Sequence, residues 1–149
     1  MTIPSTTYTV IEESTSSSTP ASRTPGHDWK LDDDGDLIIP LQFTRGIKAV
    51  AQAIRLRLEL IRGELFLDRL KGIPYLPNDY VSETDAILGG KFQESKMREE
   101  FRKAITSAPG VIQLLELELS FSSSTRVMVV SWTVKADSGF FSDSMELAA

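Results

Sequence analysis

Two runs near the C-terminus, "VIQLLELELSF" and "RVMVVSWTV", constrain this chain more than any other feature. In the first, Leu115, Leu117, Leu119 and Phe121 fall on one face, against Glu116, Glu118 and Ser120 on the other. In the second, Met128, Val130, Trp132 and Val134 share a face, and "SSST" turns the chain between the runs. Strict alternation over both runs predicts an antiparallel hairpin with one face buried and one exposed. Such a sheet needs a second layer to cover its apolar face.

Two helical patterns can supply that layer. Ile47, Val50, Ala51, Ile54, Leu58 and Ile61 form a stripe at helical spacing, which Leu56 and Leu60 widen. Thr44 is the expected N-cap and Gly63 the expected stop. Arg45, Arg55, Arg57 and Arg62 occupy the polar side, and beside Glu59 and Glu64 they read as ion-pair partners rather than as a phosphate site. A second pattern carries Met97, Phe101, Ala104, Ile105 and Ala108 before Pro109-Gly110 ends it. The predicted fold is α+β: a small, mostly antiparallel sheet packed against two main helices, with an extended N-terminal arm. Ile54, Leu58, Phe101, Leu117 and Trp132 are the expected core, and no internal repeat is visible.

Residues 1–26 form the arm and residues 27–149 the folded domain in this reading. About half of the first 25 residues are serine or threonine, a composition with too little apolar surface to offset its ordering entropy. Only Thr7-Tyr8-Thr9-Val10-Ile11 has β character and could dock. From His27 onward "HDWKLDDDGDLIIPLQF" sets apolar segments around an Asp-Gly pair, a hairpin signal. Its aspartates do not make a calcium loop. With Gly35 at the glycine position, Lys30 would stand first among the ligands, and no glutamate closes the loop. A solvated acidic turn is expected, with no metal and no cofactor.

A formal charge of −5 argues against nucleic acid as a partner, since neutralising phosphates takes a basic face. The chain contains no cysteine, so disulfides and thiolate chemistry are excluded. No apolar run approaches the roughly 18 residues that span a bilayer, so no membrane association is expected. The first residues lack both a charged n-region and an apolar h-region, which predicts synthesis and folding in a cytoplasm.

The stretch "GELFLDRLKGIPY" raises a chemical question, because Glu64 and Asp68 could be the paired carboxylates of a glycosidase. A retaining enzyme holds its carboxylates about 5 Å apart. Read as an extended strand, "ELFLD" separates these two by roughly 13 Å at about 3.3 Å per residue. The single histidine, His27, sits at the edge of the arm and supplies no base. A structural role fits better. Glu64 follows a helix C-terminus, where a carboxylate opposes the helix dipole, so Arg62, Arg69 or a partner's backbone amide must hold it.

The order of these parts carries a resemblance. A helix with "QAIRLRL", then "RGELFLD" and "KGIPY", a helix ending in "APGV", and strands with "TRVMVVSWTV" resemble the GPW or gene-25-like family over residues 29–139. These are baseplate wedge proteins and sheath initiators of contractile phage tails, with type VI secretion relatives. Gly63 and Glu64 match the start of the family motif and Gly72 its later glycine, while Leu65 replaces the family's arginine. The resemblance implies a non-enzymatic structural component of the virion tail baseplate, assembled in the bacterial host cytoplasm. It would be a wedge subunit linking the baseplate to the first sheath ring and initiating sheath assembly. Its implied partners are larger wedge subunits and the tail sheath protein, with hub or tube proteins as further candidates, and six copies per baseplate. The motif would face a wedge subunit through Arg62, Glu64, Asp68 and Arg69. The sheath would add strands to an unpaired edge. "KADSGFFSDSMELAA" has weak strand character, and "VMVVSWTV" holds neither lysine nor proline to blunt an edge. The expected edge is therefore the strand with Val127, Val129, Ser131 and Thr133, or its hairpin partner. Alternative readings are a tail-associated peptidoglycan hydrolase and a soluble regulatory adaptor of the same fold.

Overall fold

The computed structural model describes residues 9–11, 28–88 and 93–148. In chain order the elements are β1 (Thr9–Ile11), β2 (Asp28–Trp29), β3 (Phe43–Thr44), α1 (Ile47–Glu59), α2 (Glu94–Thr106), β4 (Val111–Ser122), β5 (Val127–Ala136) and β6 (Gly139–Ala148). The larger sheet has the order β1-β6-β5-β4 and is antiparallel throughout, while β2 and β3 form a two-stranded ribbon. The α+β architecture is the expected one. Of the arm, Thr9, Val10 and Ile11 pair with Ser142, Phe141 and Phe140 of β6. His27 and the remaining arm positions lie outside the described residues.

One face of the large sheet meets both helices. Met128, Val130, Trp132 and Val134 alternate inward along β5, joined by Phe141 of β6. Across from them lie Val50, Ile54 and Leu58 of α1 and Met97, Phe101 and Ile105 of α2. Ile54, Leu58, Phe101 and Trp132 are fully buried as expected, whereas Leu117 is partly buried at the sheet margin.

Four local expectations need correction. In β4 the pairing shifts between Val111 and Gln113 and again between Leu114 and Glu116. These bulges insert an extra residue at Ile112 and at Leu115, and each insertion reverses the side-chain phase. Leu114 therefore packs on the core and Leu115 is exposed. The helix α1 starts at Gly46, whose φ of 64° suits glycine, and Thr44 is buried in β3 without capping it. At its other end α1 stops at Glu59, because the chain is drawn sideways at Leu60: the Ile73 amide donates to the Leu60 carbonyl (2.8 Å) and the Arg62 amide to the Ile73 carbonyl (3.0 Å). Leu56 ends up exposed rather than widening a buried stripe.

The largest correction concerns β6. The segment expected to be weak is a ten-residue strand whose register with β5 runs from Ala136↔Gly139 to Val127↔Ala148. Val127, Val129, Ser131 and Thr133 are thus paired on both sides, with β4 and with β6, and offer no free main-chain row. Of the two candidates, the one with an open edge among the described residues is the hairpin partner, β4. Beside this ladder, an ion pair invisible to alternation ties β6 to α1. Arg55 of α1 donates from Nε and Nη2 to the two carboxylate oxygens of Asp143, both at 2.8 Å, and the Asp143 side chain is only 3% exposed. The hydrogen bond to Asp143 raises the Arg55 pKa further above its ordinary value, so the guanidinium stays charged.

Candidate functional site

The first candidate surface is the loop that follows α1. It is clasped at its base by an isolated parallel bridge between Ile61 and Ile73. A bridge that close in sequence forces the chain between to turn back, as in a compact surface loop. Gly72 permits the approach. Its φ is +99°, and a Cβ there would lie 2.7 Å from both the Ile61 carbonyl carbon and the Leu60 oxygen. Within the loop the Glu64 amide bonds the Ile61 carbonyl, the Asp68 amide that of Leu65, and the Lys71 amide that of Asp68. The expected extended "ELFLD" segment is therefore a chain of turns, and a separation of Glu64 and Asp68 computed from strand geometry does not apply.

The charged residues of this loop mostly tie it to itself. Glu64 accepts the Ile61 amide at 3.3 Å, so the backbone amide it requires comes from its own chain. Asp68 pairs with Lys71 at 3.2 Å, an exposed pair of small energetic weight. Arg62 reaches back, donating to the Gly72 carbonyl (3.1 Å) and to Glu100 of α2 (3.0 Å), and so fastens the loop's base to the second helix. Arg69 donates to the Gly63 carbonyl at 3.4 Å and lies between Phe66 and Tyr80, 5.6 and 5.4 Å from their ring centres. Asn78 donates to the Arg62 carbonyl at 2.7 Å and accepts the Tyr80 amide at 2.8 Å. The buried Tyr75 hydroxyl donates to the Leu58 carbonyl, and burial raises its pKa, so it remains a donor. Arg62, Glu64, Asp68 and Arg69 are thus brought into one loop, but as its internal fastenings. The roles of Glu100, Asn78 and Tyr80 were missed, because each lies in a different segment from its partner.

What this rigid loop presents outward is apolar. Phe66, Leu67 and Leu70 are 79%, 89% and 75% exposed, with Leu65 and Leu76 also exposed. Large apolar side chains grouped on a braced loop mark an interaction surface rather than scattered surface hydrophobes.

The second surface is the outer edge of β4. Among the described residues no strand pairs with that side. Its first half is irregular through the two bulges, while residues 116–122 keep an unbroken register with β5. One device guards the regular half: Arg98 of α2 donates to the Leu117 carbonyl and pairs with Glu94 at 2.8 Å. Exposed Ile112, Leu115 and Phe121 flank the same edge. Nothing in it resembles a catalytic constellation, and among the described residues no group of three or more His, Cys, Asp and Glu could hold a metal ion. No described helix is long and apolar enough to cross a membrane.

Comparison with known proteins identifies the family. The family described as contractile injection system sheath initiator matches residues 27–139. A solved structure of a candidate tail lysozyme from Geobacter sulfurreducens is similar in fold, with a TM-score of 0.51 and 15% identity over 68% of this chain and 88% of that one. At that identity the likeness shows the fold alone. No curated protein matches the sequence.

Proposed function

The chain belongs to the sheath initiators of contractile injection systems, structural proteins of the tail baseplate, and from that membership we propose how its two surfaces divide the assembly. The β4 edge at residues 116–120 receives a strand from the first sheath subunits, and the apolar loop at residues 61–80 seats the protein on a larger wedge subunit. The observation that carries the first half is the asymmetry of the sheet. β5 is paired on both sides, β6 is paired by β5 and in part by β1, and β4 alone combines a long regular register with an open side among the described residues. Strand addition to such an edge gives affinity from main-chain hydrogen bonds and register from alternate side chains. The second half rests on the exposure of Phe66, Leu67 and Leu70 on a loop braced by Arg62, Glu64 and Arg69.

In this reading the protein performs no hydrolysis. Glu64 and Asp68 are engaged with Ile61 and Lys71 rather than with each other across a cleft. Six copies around the tube, as the family resemblance implies, would give each wedge one strand acceptor. The direct test is co-sedimentation of purified sheath protein with the full chain. Sheath polymerisation seeded by the unaltered protein, and lost when the β4 edge is blocked, is the expected result. Zymography on cell-wall substrate is expected to show no clearing. A cleared band that disappears with Glu64→Gln would replace this reading with the hydrolase one.

A further inference from the structure

A groove of about 570 Å³ opens between α1, α2 and the base of the loop. Leu56, Leu60 and Ala104 contribute its apolar wall, with Ile73 beneath. Around it stand four cations, Arg57, Arg62, Lys71 and Lys103, against one carboxylate, Glu100. That balance runs opposite to the chain's net charge of −5. Glu100 is already satisfied by Arg62 (3.0 Å) and Lys103 (3.3 Å). Among the described residues the exposed Lys71 and Lys103 ammonium groups pair with Asp68 (3.2 Å) and with Glu99 and Glu100 (3.9 and 3.3 Å), and the pairs with Asp68 and Glu99, exposed on both sides, cost little to exchange. Arg57 donates to the Ser107 hydroxyl at 3.0 Å and has no acidic partner among the described residues. The groove borders the exposed apolar loop through Lys71 and Gly72, so one partner element could cover both.

We propose that this groove takes an acidic amphipathic helix of a baseplate partner, apolar stripe on Leu56, Leu60 and Ala104, flanking carboxylates on Arg57, Lys71 and Lys103. The proposal rests on the reading of this side as the wedge-facing one and supplies the chemistry of the partner. Helix-in-groove docking reads an apolar stripe at positions i, i+3, i+4 and i+7, and a cationic rim selects the flanking charge. Arg62 is not part of the exchangeable rim, since it braces the loop.

The test uses the full chain and fluorescein-labelled helical peptides in an anisotropy titration. One peptide has a leucine stripe flanked by glutamates, and the other has the same stripe flanked by lysines. The glutamate peptide should bind at least about tenfold more tightly than the lysine peptide, a difference set by like-charge repulsion at the rim. The paired reversal Lys71→Glu with Lys103→Glu should remove that preference, while Lys135→Glu on the far face of the sheet should not. Equal binding of both peptides, or a preference that survives the paired reversal, overturns the proposal. Sodium dodecanoate binding at the groove with no peptide binding overturns it in favour of a small anionic amphiphile. The paired reversal should leave sheath capture at β4 intact. Failure of the unaltered protein to capture sheath would refute the edge assignment and leave the groove result standing.

Discussion

β4 and β5 are the two arms of one hairpin, similarly alternating in sequence, yet they meet opposite ends. β5 has a strand on each side and an inward face that is fully buried from Met128 to Val134. Among the described residues β4 has one partner strand, with two bulges and inward residues, Leu114, Leu117 and Leu119, that are only partly buried. Alternation reports which face of a strand is covered; it carries no information about which edge is. Edge status depends on what the rest of the chain does, here on whether residues 139–148 return to the sheet.

The comparison can be broken most severely at the ion pair that fixes β6. Arg55→Met would strand the buried Asp143 carboxylate, and losing one partner of such a pair costs about 3–5 kcal/mol. Chemical denaturation should show that loss; a change under about 1 kcal/mol would mean that β6 is held by its ladder alone. Next comes Val129→Pro in β5. A lost ladder bond and a stranded carbonyl cost at least about 2 kcal/mol, and the same denaturation experiment reads it.

Proline in β4 sharpens the contrast. Leu119 and Ser120 are neighbours, so one turns its amide toward β5 and the other toward the open side. Proline at the first should behave like Val129→Pro. At the second it should cost under about 1 kcal/mol, yet abolish sheath seeding. Two equally destabilising prolines would mean that both sides of β4 are paired. The smallest effect on stability is expected at the loop: Phe66→Ser and Leu67→Ser should stay within about 0.5 kcal/mol of the parent. Their incorporation into tails, measured by co-purification, should fall sharply. Normal incorporation would remove the loop from the wedge interface.

Much of this was legible in the sequence, and the misses share a physical cause. Both helices, the hairpin and its inward residues follow from local periodicity. β6 escaped because "GFFSDSMELA" places a carboxylate where alternation expects an apolar residue. Asp143 is buried there only because Arg55, 88 positions away, neutralises it. The "ELFLD" segment alternates like a strand, but the Ile61–Ile73 bridge and the close approach at Gly72 make it a loop. Leu115 was assigned to the wrong face because a bulge leaves no mark in composition. Arg62, Glu64, Asp68 and Arg69 were gathered correctly into one motif, while their partners Glu100, Asn78 and Tyr80 lay beyond it. Apart from the bulge at Leu115, each of these misses is a long-range contact overriding a local pattern.

The central claim, that β4 offers its outer row of main-chain groups to the sheath, is tested most directly by residue-resolved hydrogen exchange. In the free protein, every second amide of residues 116–120 should exchange fast while its neighbours, bonded to β5, are protected, and the amides of residues 128–134 should all be slow. On addition of sheath protein the fast set should become protected and the slow sets should not change. Fast amides that stay fast in the sheath-bound complex, or uniform protection of residues 116–120 in the free chain, would contradict the account.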